Sequence, residues 1–278
     1  MYRLLALDLD GTILADDKSV PPCNREALKR AKAQGTAPVI CTGRALPGLK
    51  TILQELGPEA VGRYHIGLNG GILYDSREDK VVQVHRMEPE AVRRVLELGR
   101  ARRGRVNLQL YTEDGIYTEK RCASTAVYER LSRCRLQEIQ DLTVLADKVV
   151  KLILIFHESE GLKDYGTVNA LARELATQLP PGTVGCCSCE YLYEVLSADC
   201  SKGTALEQLG KRLGISREET AALGDNENDA AMLAYAGMPA TTANGTERIK
   251  GLCRYVSRLD NNQGGAAEII EKMILLHA

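Results

Sequence analysis

The sequence predicts an α/β protein: a Rossmann-like, doubly wound parallel sheet core carrying an inserted α+β cap domain. Three observations predict it. Short, continuously apolar runs alternate with helical patterns at both ends of the chain, as in "RLLALD" (3–8), "APVICTG" (37–43) and "TAALGD" (220–225). Runs without polar alternation fit strands buried on both faces, the condition of a parallel sheet. From about residue 83 hairpin signals such as Asp114-Gly115 replace that rhythm. A chain of 278 residues has room for both parts.

The elements follow in order. A first strand spans 3–8. "CNREALKRAKAQG" (23–35) has helical spacing and stops at Gly35. A strand over 37–43, a helix over 46–57 and a third strand over 64–71 continue the pattern. Strands joined by helices in this way form right-handed β-α-β units. The insertion reads as a helix over 89–104, a hairpin over 105–120 and a helix over 123–134. A strand over 148–156, a helix over 162–179 and a strand pair over 182–197 follow. Mixed hairpins and helices predict an antiparallel sheet with helices on one face. The first rhythm then resumes: a helix over 201–214 closed by Gly214, a strand over 220–225, a helix over 228–237, a strand and turn over 238–245 and a last helix over 264–277. The expected division is a core of 1–82 and 189–278 around a cap of 83–188.

Composition narrows the function. Net charge is −1, with 44% hydrophobic and 26% charged residues, ordinary for a soluble globular chain. Near-neutral charge argues against nucleic acid or a membrane surface as partner. No apolar run approaches the ~20 residues that span a bilayer, and acids interrupt the N-terminal run too early for a signal peptide. The expectation is a cytoplasmic protein, a monomer or weak homodimer. Nine cysteines are present, clustered most sharply as Cys186, Cys187 and Cys189. With only four histidines, none near that cluster, a metal site lacks its second half, and reduced, space-filling thiols are expected.

"LALDLDGTIL" places Asp8 and Asp10 directly after an apolar run. Ligands of open α/β sheets bind outside the carboxyl ends of the strands. Four predicted strand ends carry polar groups: Asp8 and Asp10; Thr42, Gly43 and Arg44; Asn69 and Gly70; and Gly224, Asp225, Asn226, Asn228 and Asp229. The acids gathered in two of these segments would repel one another unless a cation lay between them. Carboxylate oxygens suit Mg²⁺. A metal would let one acid approach a phosphate and attack it, while a second acid two residues on protonates the leaving oxygen and later activates water. Each motif also has a plainer reading. "DGT" is turn chemistry, "CTGR" a strand end, "SKG" a helix start, and "GDNENDAAM" an N-capped acidic first turn. Those readings do not explain why all four fall at carboxyl ends of one sheet.

The motifs resemble those of the haloacid dehalogenase superfamily of phosphatases, in its Cof-type branch. "DLDGT" (8–12), "TGR" (42–44), "NGG" (69–71), "SKG" (201–203), "GDNENDAAML" (224–233) and "ANG" (243–245) carry the resemblance, in order along nearly the whole chain. Gly71 and the residues flanking Asn244 depart from the family pattern at the walls of the phosphate pocket. The resemblance implies that Asp8 is the nucleophile and Asp10 the general acid and base. It implies Mg²⁺ held by Asp8, Asp225 and the backbone carbonyl of Asp10. It assigns phosphate oxygens to Thr42 and Lys202 within the "TGR" and "SKG" motifs, and the phosphate or the metal's waters to Asn228. It has Asp229 orient Lys202, Arg44 face the substrate beneath the cap, and Asn69 and Asn244 support the site. The substrate class implied is a small phosphate monoester, a sugar phosphate or similar. A phosphomutase is the alternative, and a non-catalytic binding protein on this fold a more distant one, since the nucleophile is present.

Overall fold

The computed structural model describes residues 1–102, 105–132, 134–156, 165–189 and 192–275. The chain divides into two compact units. One comprises Met1–Gly43, Leu49–Gln83 and Ser201–Ala278; the other comprises Arg44–Gly48 and Val84–Cys200.

The first unit is built on a five-stranded parallel sheet. Its order is Tyr255–Val256, Met238–Thr241, Thr220–Leu223, Leu4–Leu7, Ala37–Ile40. Successive side chains of a strand point to opposite faces. Leu4 and Ala6 pack with Leu206, Leu209, Met232 and Ile249 on one face. Leu5 and Leu7 point the other way and are equally buried. Both faces are therefore covered, which is why the strands read as unbroken apolar runs. Burying each such leucine contributes roughly 1.5–3 kcal/mol. A smaller sheet of Tyr64–Gly67, Ile72–Asp75 and Lys80–Val84 adjoins this one through a single parallel bridge, Cys41 to Ile66. The third strand thus ends at Gly67, short of the expected 71. Leu68 and Asn69 adopt left-handed φ values of 51° and 57° and turn the chain out of the sheet.

The second unit holds a six-stranded sheet. Its order is Thr183–Cys189, Leu192–Ser197, Lys151–Phe156, Val106–Tyr111, Ile116–Thr118, Leu136–Glu138. Pairing is antiparallel except between the last two. Alternation organises its core. Val106, Leu108, Leu110, Leu152, Leu154 and Val195 pack against Val92, Val95 and Leu96 of helix Pro89–Arg100 and Leu171 and Leu175 of helix Tyr165–Gln178. The unit runs to Cys200, past the expected end at 188, because Leu192–Ser197 pairs inside this sheet. The expected helices over 89–104 and 162–179 extend partly outside the described residues.

Candidate active site

The carboxyl ends of two adjacent strands of the parallel sheet bring the acids together. Asp8 follows strand Leu4–Leu7 directly, and its N–H donates to the Leu223 carbonyl at 2.9 Å. Asp225 lies just beyond Leu223 on the neighbouring strand. Lys202 opens helix Lys202–Leu213, whose start is fixed by Ser201. Ser201 Oγ accepts from the Thr204 N–H at 3.0 Å, and Thr204 Oγ1 accepts from the Ser201 N–H at 3.0 Å. This reciprocal cap anchors the first turn and with it the root of the lysine.

Lys202 is wholly buried and shared between two acids. Its Nζ donates to Asp8 Oδ1 at 2.5 Å and to Asp229 Oδ1 at 2.6 Å. Asp229 is itself fastened, for its Oδ2 accepts the N–H groups of Asp225 at 3.0 Å and Asn226 at 3.2 Å. One carboxylate therefore fixes both the lysine and the loop that carries Asp225. Burial alone would favour the neutral amine, but the charges of Asp229 and Asp8 outweigh it and hold the lysine's pKa above its usual value. Burial and the charge of Asp229 push Asp8 well above the usual carboxylate range, against the pull of Lys202. Burial and Asp229 likewise raise Asp225 to about 6.

Asp225 is held from the first loop as well. Thr12 Oγ1 donates to its Oδ1 at 2.9 Å. Gly11 sits at φ +87°, and a Cβ there would lie 2.4 Å from Asp225 Oδ2, so this turn needs glycine for both conformation and space. Asn244 Nδ2 donates to the Gly11 carbonyl at 2.8 Å and thereby ties the "ANG" turn to the same loop. No local signal marks Thr12 as a site residue, although it stands inside the "DGT" motif.

Thr42 and Asn69 form a second wall. The Thr42 N–H donates to Ile66 O and the Asn69 N–H to Thr42 O, each at 2.9 Å. A Cβ on Gly43 would lie 2.9 Å from Asn69 Oδ1. Asn228 Nδ2 reaches that oxygen at 3.4 Å. The left-handed turn at Leu68 and Asn69 is what aims the Asn69 amide here; asparagine tolerates that region better than most residues. Arg44 is buried and belongs to the second unit, while Thr42 and Gly43 belong to the first.

Asp10 stands differently from Asp8. Its carboxylate pairs with Lys18 Nζ at 2.8 Å, and both side chains keep part of their exposure. No sequence signal pointed to Lys18.

Among the described residues, Asp8, Asp225 and Asp229 each place a carboxylate oxygen within 4.8 Å of one another. An all-oxygen, acid-rich set of this kind fits a hard divalent cation. Asp229 already spends both oxygens on Lys202 and on backbone N–H groups, so Asp8 and Asp225 are the freer donors. In the cysteine cluster, Cys186 and Cys187 occupy adjacent positions of one strand; the Cys189 side chain lies outside the description. Among the described residues no helix is long and apolar enough to cross a membrane.

Comparison with known proteins agrees with this geometry. A family model described as haloacid dehalogenase-like hydrolase matches residues 5–270. YxeH of Bacillus subtilis is 30% identical over 99% of either chain. Phosphatase YwpJ of Bacillus subtilis is 28% identical, over 98% of this chain and all of that one (100%). Among solved structures, a haloacid dehalogenase-like hydrolase from Bacteroides thetaiotaomicron superposes with a TM-score of 0.83 at 28% identity, over 98% of this chain and 100% of that one. A family model over nearly the full length, relatives named phosphatases over the same span and a solved hydrolase of the same fold settle the family: the chain belongs to the haloacid dehalogenase-like hydrolases and is one of their phosphatases.

Proposed function

We propose that the protein is a Mg²⁺-dependent phosphatase of small phosphate monoesters, sugar phosphates or similar, and that it works through an aspartyl-phosphate on Asp8. The observation that carries this reading is the Lys202 ammonium divided between Asp8 and Asp229. It holds Asp8 in one orientation and keeps positive charge where a phosphate would sit. Mg²⁺, held by Asp8, Asp225 and the backbone carbonyl of Asp10, would offset the negative charge of the phosphate and of the clustered acids.

In the first step Asp8 Oδ forms a bond to phosphorus. The bond from phosphorus to the ester oxygen breaks, and that oxygen keeps the electron pair and takes a proton from the Asp10 carboxyl. In the second step water attacks the aspartyl-phosphate and gives a proton to Asp10, and the Asp8 carboxylate recovers its electrons. Lys202, Thr42, Gly43 and Asn228 hold phosphate oxygens, so catalysis is chiefly positioning and charge neutralisation. Asn69 orients Asn228, and Asn244 secures the loop of Asp10.

The test is phosphate release from a panel of phosphate monoesters by the purified full chain with Mg²⁺. Release by wild type and none by Asp8→Asn is the expected result. Wild-type silence across the panel overturns the reading. Transfer of the phosphoryl group to a second hydroxyl without free phosphate would make the protein a mutase instead.

A further inference from the structure

The loop after the first strand is built around a lysine that the catalytic scheme leaves unused. Residues Asp10 and Leu14 form an isolated bridge, and Ala15 N–H donates to Ser19 O at 3.0 Å, closing a tight turn over Ala15–Ser19. Lys18 sits inside that turn with φ 68°. This is the left-handed region, costly for a lysine and natural for glycine or asparagine. A turn selected only for its shape would place one of those residues here.

Hydrogen bonds from Asn261 and Asn262, and then the charge of Lys18, hold the Asp16 carboxyl below its usual range, so the neighbouring acids account for the lysine only in part. Asp16 and Asp17 are adjacent to it, yet both carboxylates are engaged elsewhere. Asp16 accepts from Asn261 Nδ2 at 3.0 Å and from Asn262 Nδ2 at 3.1 Å. Asp17 Oδ1 accepts the Ser19 N–H at 2.9 Å and the Ser19 hydroxyl at 2.6 Å. Lys18 instead reaches Asp10, with 2.8 Å between Nζ and Oδ1. The loop is also bolted from outside. Buried Asn261 donates to the Leu14 carbonyl at 3.0 Å, its own N–H donates to Asn244 Oδ1 at 3.0 Å, and Asn244 holds Gly11. Two half-exposed ions gain little by pairing. A strained backbone and several anchoring asparagines are more than such a pair warrants on stability grounds alone.

We infer that Lys18 is a positioning residue for the phosphoryl transfer: anchored by its rigid turn, its ammonium holds the Asp10 carboxyl group in the orientation from which it protonates the departing ester oxygen. The inference rests on the function proposed above. A lysine acting in this way matters in proportion to how much the leaving oxygen needs a proton. An alkoxide leaving group depends on it; p-nitrophenolate departs without much help.

The experiment compares kcat/KM, which reports the step in which the ester oxygen leaves, for p-nitrophenyl phosphate and for glycerol phosphate with Mg²⁺. Lys18→Met is expected to lose roughly 10- to 100-fold on glycerol phosphate, less than removal of a general acid costs, and only about threefold or less on p-nitrophenyl phosphate. Lys18→Arg keeps the cation and is expected to recover most of the loss. Lys18→Gly relieves the left-handed backbone, so its thermal midpoint should equal or exceed that of wild type while its kcat/KM on glycerol phosphate still falls. It also serves if Lys18→Met folds poorly. Equal losses on both esters, or no loss on either, overturn the role of Lys18 while leaving an active phosphatase. A wild type that releases phosphate from neither ester, nor from any other monoester of the panel, overturns both readings together.

Discussion

Lys202 Nζ stands 2.5 Å from Asp8 Oδ1, and neither side chain is open to bulk water. A lone ammonium in such a place would shed its proton, and a lone carboxylate would take one up. Asp229 and Asp8 keep the lysine charged, and the ammonium in turn works against the burial that raises Asp8. The arrangement stores two functions in one contact: it compensates buried charge, and it fixes the atom expected to attack phosphorus.

Asp8→Asn is therefore expected to fold and to lose turnover by roughly 10⁴-fold or more, because an amide of the same shape cannot attack phosphorus. Circular dichroism checks the fold and phosphate release checks the activity. Turnover near the wild-type rate would remove Asp8 from the role of nucleophile.

Lys202→Met tests the other side of the contact. It leaves Asp8 and Asp229 buried without their cation. Breaking a buried pair in this way typically costs about 3–5 kcal/mol. Urea unfolding in chelator should show that loss, and added Mg²⁺ should narrow it by supplying charge to Asp8. A variant as stable as wild type would mean that water already reaches these carboxylates.

The acid cluster predicts metal dependence. Chelation should stop activity and Mg²⁺ restore it. Binding to the folded state alone stabilises by roughly 2.7 kcal/mol at a hundred times Kd, so Mg²⁺ should raise the thermal midpoint of wild type. Asp225→Ala should abolish most of that rise. An unchanged rise in Asp225→Ala would place the ion elsewhere.

Much of this site is legible from local chemistry. Asp8, Lys202, Asp225 and Asp229 each sit at a strand end or helix start that apolar runs and capping residues announce, and they meet at one sheet edge. What stayed hidden depends on backbone conformation or on pairing. Nothing in the identity of Leu68 foretells a left-handed φ, so the apolar run predicts a third strand longer than the one that forms. Leu192–Ser197 reads as a strand whichever unit owns it, and only its pairing with Lys151–Phe156 assigns it to the second. Lys18 has two acids beside it in sequence, and its pairing with Asp10 emerges only once Asn261, Asn262 and Ser19 have taken those acids.

Gly11 gives a sharper steric test. Gly11→Ala would force a Cβ to within 2.4 Å of Asp225 Oδ2 at a φ of +87°. The left-handed backbone costs roughly 1–2 kcal/mol, and the displaced carboxylate weakens the response to Mg²⁺. Gly35→Ala is the control, since φ there is +94° but nothing lies within 4 Å. Both variants should lose stability, while only Gly11→Ala should lose Mg²⁺ stabilisation and activity. A Gly11→Ala protein with an ordinary Mg²⁺ response would show that the loop gives way before Asp225 does.

His65 predicts how stability depends on pH. It is fully buried in strand Tyr64–Gly67, and its Nδ1 accepts the Ile40 N–H at 3.2 Å. Accepting at Nδ1 requires the neutral ring, and burial drives the folded pKa down to about 3. The unfolded chain regains an ordinary histidine pKa near 6.5, so as pH falls below that value it takes up a proton that the folded state refuses. The histidine's contribution is therefore complete above about pH 6.5 and erodes progressively toward pH 3, by roughly 2 kcal/mol at pH 5. His65→Asn offers an oxygen to the Ile40 N–H without a titrating ring. Its stability deficit relative to wild type, measured in urea, should shrink by about that amount between pH 7 and pH 5. A deficit that stays constant across the range would mean that His65 is protonated inside the fold, and that the strand beneath the Thr42 loop carries a buried charge.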